Sequence, residues 1–358
     1  MKINYQLGVE AKQKLDPAVW NYLVGGAEDE IALQRNRLAF QKWSLLPRVL
    51  TDVSALDLRS QLLGIPMQLP VIAAPIGGLT KFHEEGDSEW AKGLAAAGVI
   101  GTVSGVARIK PEEIIQTSQA TLLYQLYYFG DDEWVGNQLR TAEAVGYKAI
   151  VVTVDTAYYT QRERDILAHY DARHAGWRSA PNPPDRLRNR RLDWNALKFI
   201  QSCTRLPVIL KGACFPADVE RAFDCGIQAI WVSNHGGRQL DNTLSSLEAL
   251  VPLVPVCKAA NIPLIVDGGI RRGSHVLLAL LLGATAVSVG RLPVYGLAAQ
   301  GAAGVKQVFE NLETELRTAM GLMGITNLEF DESLMRERLI QSNPPYLPTK
   351  WDVLESGL

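Results

Sequence analysis

From residue 70 onward the chain alternates short runs of apolar and β-branched residues with stretches of helical periodicity, and it does so eight times. The runs are PVIAAPIGG (70–78), VIGTVSG (99–105), TLLYQLYYF (121–129), AIVVTVDT (149–156), PVILKG (207–212), AIWVSNHG (229–236), PLIVDGG (263–269) and AVSVGRL (286–292). Unbroken apolar runs of this length suit strands buried on both faces, the condition of a parallel sheet. Between them the spacing predicts helices over Ser88–Ala97, Pro111–Ser118, Asp132–Val145, Trp194–Ser202, Pro216–Cys225, Ser245–Ala260, Ser274–Leu282 and from Val294 onward. Pro111 and Pro216 sit where a first helical turn tolerates proline, and acidic residues follow them near the positive end of the helix dipole. Eight strand–helix units in order close into a (β/α)8, or TIM, barrel. A doubly wound open sheet competes, but the count of eight and the lack of a GxGxxG turn after the first run argue against it. The predicted fold class is α/β.

Three regions follow. Residues 1–69 precede the first strand, with helices expected near 16–24 and 29–40 and then a polar connection, forming a lid across one end of the barrel. Residues 70–320 are the barrel. Within it, 157–193 breaks the alternation between the fourth strand and fourth helix, and its part 167–192 is rich in arginine. Connections this long are usually functional or disordered, so a mobile loop is expected, a solvated lid or a steering surface for an acidic substrate. Residues 321–358 form a tail, proline-rich after Ser342 and expected to pack as an arm on a neighbouring subunit.

Composition removes several function classes. The 358 residues carry a formal charge of −2, which provides no field to attract nucleic acid or an anionic membrane. The most apolar window, Val276–Gly290, is interrupted by Gly283 and too short to span a bilayer. Cys203, Cys214, Cys225 and Cys257 are too far apart for a CxxC pair and too few for a disulfide framework. No metal site is expected. With no apolar leader in MKINYQLGVE, the chain is expected to be cytoplasmic.

Active sites of this fold gather at the carboxyl ends of the strands. Those positions are polar at nearly every strand: Gly77, Ser104, Gln125 and Tyr127, Thr153 and Asp155, Lys211, Ser233 with His235 and Arg238, Asp267-Gly268-Gly269 with Arg271, and Gly290-Arg291. The sixth run continues as SNHGGRQLD, where histidine suits a general base near neutral pH and Arg238 suits a bidentate clamp on a carboxylate. Asp155 beside His235 would orient the imidazole and stabilise its protonated form. Arg162 offers a second clamp. The glycine-rich turns DGGIRRG and VGR stand where such barrels bind phosphate. Base, clamp and phosphate site together describe a cofactor enzyme acting on a small organic acid.

SNHGGRQLD, LKG, TVD, QLY, DGGIRRG and the lid segment NYLVGGAEDE resemble the FMN-dependent L-2-hydroxy acid oxidases and dehydrogenases, the family of glycolate oxidase, lactate oxidase, flavocytochrome b2 and mandelate dehydrogenase. The resemblance runs from about Val19 to Gly324 and implies FMN across the strand ends. Ala74, Pro75, Ile76 and Gly77 would back the flavin, and Ser104, Gln125 and Thr153 would bond its ring. Lys211 would stabilise its reduced form, and Ser233, His235 and Gly236 would border it. Asp267, Gly268, Gly269, Arg271, Gly290 and Arg291 would hold ribityl and phosphate. Tyr22, Arg162 and Arg238 would grip the substrate carboxylate. Tyr127 would bond its hydroxyl, and His235, paired to Asp155, would take the proton as hydride passes to flavin N5. The electrons would go to O2, giving H2O2; a quinone or protein acceptor, and a non-redox FMN-dependent isomerisation, stand as alternatives. A homotetramer is also implied.

Two departures bear on substrate. Where the family often has Pro-Arg-x-Gly after the strand-four aspartate, this chain has Ala157-Tyr158-Tyr159-Thr160, and Val106 stands where glycolate oxidases have an aromatic residue. Gly77, Val106 and Tyr159 would line the side-chain pocket, and the two small positions lead us to expect a medium-sized to bulky acid rather than glycolate.

Overall fold

The computed structural model describes residues 2–170, 191–331, 337–342 and 345–356. Three helices open the chain, α1 (Asn4–Lys14), α2 (Pro17–Val24) and α3 (Ile31–Gln41), followed by β1 (Trp43–Leu45) and a hairpin of β2 (Ser60–Leu62) and β3 (Ile65–Met67). Then comes the barrel. Its strands are β4 (Val71–Ala73), β5 (Gly101–Ser104), β6 (Leu122–Leu126), β7 (Ile150–Thr153), β8 (Val208–Lys211), β9 (Ala229–Val232), β10 (Leu264–Val266) and β11 (Ala286–Val289). Seven parallel pairings link them in the order β4-β11-β10-β9-β8-β7-β6-β5, and the Ala73 amide donates to Ile100 O at 2.9 Å where β4 meets β5. The expected α/β barrel is what forms.

Successive side chains on these strands point to opposite faces. One set fills the barrel: Ile72, Leu123, Val151, Ile209, Trp231 and Ile265 form one buried cluster. The other set packs on the surrounding helices: α4 (Gly86–Ala97), α5 (Pro111–Ser118), α6 (Asp132–Val145), α8 (Trp194–Ser202), α9 (Pro216–Asp224), α10 (Ser246–Ala259), α11 (Gly273–Leu281) and α12 (Arg291–Met323), with α7 (Glu163–Leu167) in the connection after β7. Their starts are chemically marked. Asp131 and Asp193 side chains accept from Trp134 N and Ala196 N, both at 2.8 Å, and Ser245 and Glu248 form a capping box.

One regional expectation needs correction and two gain detail. Residues 1–69 cover both ends of the barrel, because Leu62 and Met67 of the β2–β3 hairpin join the interior cluster and plug its amino end. The connection at 157–193 begins with the short helix α7, and its arginine-rich part lies largely outside the described residues. The tail returns to its own chain. There β12 (Leu339–Gln341) pairs antiparallel with β1, and α13 (Lys350–Glu355) docks through Trp351, which stacks on Tyr295 and meets Tyr5 edge-on. A tryptophan 4% exposed between two tyrosines is sufficient reason for the tail to stay.

Candidate active site

A cavity of about 630 Å³ opens at the carboxyl ends of the strands, roofed by α2, α3 and the segment after β7. The roof is tied down by the chain that makes the floor. Ala27 N donates to Gly237 O at 2.9 Å and Glu28 N to Gln161 O at 3.0 Å. The Asp241 carboxylate accepts from Ile31 N and Ala32 N, 3.2 and 2.6 Å, and so caps α3, whose own N-cap Glu30 is left-handed and provides no side-chain bond. The last residue of SNHGGRQLD therefore has a structural task that its spacing did not reveal. Glycine is required at 269 because a side chain there would meet Asn36 O of α3 at 2.0 Å.

His235 and Asp155 come together as expected. Imidazole Nδ1 lies 2.9 Å from Asp155 Oδ1, and His235 N donates to Ser233 Oγ at 3.0 Å in a turn with φ +58°. Burial would raise Asp155, but His235 and Lys211 outweigh it and hold the carboxyl below its ordinary range. For His235, burial pulls the pKa down, reinforced by Lys211 and opposed by Asp155, and the net direction is down. The imidazole is thus neutral at neutral pH and able to accept a proton. Tyr127 lines the same cavity, stacked on Phe129 at 5.0 Å, with burial first and Asp155 second keeping its hydroxyl protonated.

Around Tyr22 the cavity gathers positive charge. Arg238 lies 4.9 Å from its ring centroid, Lys81 5.7 Å and Arg162 5.9 Å. Burial raises the tyrosine's pKa, yet these three cations, led by Arg238, bring it below its usual value. Arg238 uses Nη1 on the carbonyls of Tyr22 and Gly25, both 2.7 Å, which leaves Nε and Nη2 to meet a ligand. Burial and then Arg162 lower it to about 9, so it stays a cation and its site favours an anion. Asp165 of α7 lines the cavity nearby, its carboxyl raised by burial against the pull of Arg238 and Arg162. Lys81 and Asp165 were not among the residues read from sequence. The lysine follows the first strand by eight positions, and only the fold brings it to Tyr22.

Deeper, Lys211 Nζ donates to Ser233 Oγ at 3.0 Å and lies 3.8 Å from Asp267 Oδ2, which also accepts from Ser233 Oγ and Trp231 Nε1. Strand register puts Thr153 opposite Lys211 and Ser104 opposite Gln125, so these side chains stand level at the rim. Ser104, Gln125, Thr153 and Ser233 are almost wholly buried and lie outside the cavity's lining, whereas Ala74, Pro75, Ile76, Gly77, Val106, Tyr159, Lys211, His235, Gly236, Asp267, Gly268, Gly269 and Gly290 are on it. Two arginines of the expected phosphate site also bond within the protein. Arg291 lines the cavity and directs Nε and Nη2 at the carbonyls of Leu23, Gly25 and Gly236, between 3.0 and 3.1 Å, so that among the described residues Nη1 and the amide of the helix start stay open to a phosphate. Arg271 lines the cavity but its Nη2 is bonded to Glu355 of α13.

Residues 11–337 match the family described as FMN-dependent dehydrogenase. The chain belongs to it. The chain is 38% identical over 329 residues to a peroxisomal (S)-2-hydroxy-acid oxidase of Oryza sativa subsp. japonica, across 88% of its own length and 90% of the relative. It is 37% identical over 335 residues to a glycolate oxidase of Zea mays, across 89% and 90%. Among solved structures, a mandelate oxidase variant with (S)-mandelic acid superposes at a TM-score of 0.87 and 33% identity, covering 96% of this chain and 99% of that one.

FMN is the family's cofactor, and this chain's residues fit it. At the strand ends, Gln125 Nε2, Thr153 Oγ1 and Asp267 Oδ1 are buried with no partner among the described residues, the kind of polar atom that a polar ring completes. The Gly268–Gly269 turn and the start of α12 at Gly290 supply backbone N–H groups, and among the described residues Arg271 engages only Nη2, which leaves Nε and Nη1 for an anion. Lys211 places a buried ammonium at the centre. At the other end of the cavity Gly77 touches Val106, whose Cγ2 lies 2.6 Å from where a side chain at 77 would begin. Ile76, Phe82, Phe129, Tyr158 and Tyr159 complete this mostly apolar wall.

Proposed function

We propose that the enzyme oxidises an L-2-hydroxy acid of medium to bulky side chain to the 2-oxo acid and passes the electrons to O2, forming H2O2. The observation that carries this reading is the neutral imidazole of His235, backed by the Asp155 carboxylate, facing the same cavity as the Arg238 cation. FMN, when bound, supplies the acceptor for the two electrons and hydrogen leaving C2. Arg238 and Arg162 bind the substrate carboxylate, Arg238 through the two nitrogens its lid bonds leave open. Tyr127 orients the hydroxyl. His235 takes the hydroxyl proton, and Asp155 stabilises the imidazolium so formed. The roof of α2 and α3 excludes water, which strengthens each of these interactions. Relatives of similar identity across most of the chain are described as oxidases, which supports O2 as the acceptor.

Gly77 and Val106 support the substrate size, as does the likeness to a mandelate-binding structure. The test is anaerobic titration with glycolate, L-lactate, L-mandelate and longer 2-hydroxy acids, followed by air. We expect mandelate or a longer acid to bleach the flavin band and to show the highest kcat/KM, with H2O2 appearing on aeration. Glycolate as the best substrate would overturn the size assignment, and reduced flavin that persists in air would replace O2 by another acceptor.

Two further outcomes follow from the site. Arg238→Lys keeps the charge but loses the planar fork and a lid bond, so kcat/KM falls by about 10- to 100-fold, mostly through KM. The pH profile has a definite sign. Only unprotonated His235 can act as base, and burial places its pKa below the ordinary 6.5. The acid limb of kcat/KM, which reports the free enzyme, therefore lies below 6.5; a limb above it contradicts the assignment.

A further inference from the structure

Among the described residues, a buried charge cluster that the chemistry above does not use surrounds Glu355, at the end of α13. Its side chain is fully buried and its carboxylate is bonded from three sides: Arg37 Nη2 at 2.6 Å, Tyr295 Oη at 2.7 Å and Arg271 Nη2. Its main-chain oxygen accepts from Arg164 Nη1 at 2.9 Å, and Arg37 Nη1 is also paired with Asp352 at 3.0 Å. Arg37 and Arg271 both line the main cavity, at the end formed by Gly268, Gly269 and Gly290. Two guanidinium groups that face the phosphate end of the cofactor cavity are thus matched by two carboxylates of the chain's own last helix. Their charges cancel before any ligand arrives.

We propose that α13 is a resident counter-ion for the cofactor's phosphate site, with Glu355 balancing Arg37 and Arg271 so that the site holds together without FMN and grips the phosphate less tightly than bare arginines would. A phosphomonoester brings a charge near −2 at neutral pH. Arg291 at the same end adds one positive charge, so the phosphate leaves one excess negative charge in a poorly solvated corner, and in the cluster without Glu355 it comes close to balance. The arginines gain in the opposite sense: without Glu355 or FMN, Arg37 keeps only Asp352 and Arg271 loses its carboxylate partner, and burial of unmatched charge is costly. Glu355 therefore moves stability from the FMN-bound protein to the FMN-free one. Glu355 is a positioning residue and touches no reacting atom.

The experiment is equilibrium dialysis of the full-length holoenzyme against falling concentrations of FMN, with riboflavin as a parallel ligand that has the ring and ribityl chain but no phosphate. Glu355→Gln preserves shape and removes the charge. We expect it to tighten FMN at least tenfold, about 1.4 kcal/mol, to leave riboflavin unchanged, and to widen the gap in Tm between FMN-bound and FMN-free protein. Asp352→Asn, on the less buried carboxylate partner of Arg37, moves the FMN-to-riboflavin ratio in the same direction by less and serves if the first variant does not fold. Tyr295→Phe removes a bond to Glu355 but no charge and leaves the ratio where it was. An unchanged or lowered ratio in the charge-removing variants, or an equal shift for both flavins, overturns the proposal.

Discussion

Replacing His235 with glutamine lowers kcat by about 10²- to 10⁴-fold, the range that a positioned general base contributes, while FMN remains bound and KM changes little. Glutamine has similar reach, and its amide can still donate to Asp155. It cannot accept the substrate proton. The loss therefore belongs to the transition state, where the hydroxyl proton is in flight, and not to ground-state binding, which Arg238 and Arg162 supply. The turn that carries residue 235 is left intact, because it rests on the main-chain bond from position 235 to Ser233 Oγ. The check is single-turnover reduction: the variant's flavin band should bleach more slowly by the same factor as kcat, with flavin content equal to the parent enzyme. A loss under tenfold in that experiment removes His235 from the role of base.

The parts of this site that could be read in the sequence are those whose chemistry is local to a strand end. Each of the eight apolar runs contains a barrel strand, and the polar residue that follows a run stands at the rim because parallel strands in register deliver their ends to one plane. The pairing of His235 with Asp155 could be anticipated for the same reason, since β7 and β9 flank β8 and their ends face one another. What could not be read depends on long-range return of the chain. The β2–β3 plug is two three-residue strands, too short for a periodic signal, and its burial is decided by the hole it fills. Helix α1 has mixed polarity and is held by packing rather than by a strong apolar stripe. Asp241 caps a helix about 210 positions away, and Glu355 reaches Arg37 and Arg271 from the tail. Neither link leaves a local trace. Arg291 carries a related link: an arginine after the eighth strand suits a phosphate, and its bonds to lid carbonyls are ones that only folding brings near.

The relation between Asp155 and His235 can be separated from the histidine's own contribution. Asparagine at 155 keeps the size but presents an amide in place of a carboxylate 2.9 Å from Nδ1. Two things are lost. The acceptor that fixes the Nδ1–H tautomer becomes ambiguous, so Nε2 is less reliably the free base, and the imidazolium formed on proton abstraction loses its adjacent negative charge. We expect Asp155→Asn to lower kcat by about 10²- to 10⁴-fold, the upper figure being what the same change costs a serine-protease triad. The direction of the pH effect is opposite to that of rate. Asp155 raises the pKa of His235 against burial, so its removal lowers that pKa further and moves the acid limb of kcat/KM to lower pH. The slower enzyme thus keeps its residual activity in more acid buffer than the parent. Since the carboxylate acts only through the imidazole, the pair functions as a unit whose effects do not add. The double variant His235→Gln, Asp155→Asn should be no slower than His235→Gln alone. Losses that multiply in the double variant would show that Asp155 serves the reaction by a route independent of His235.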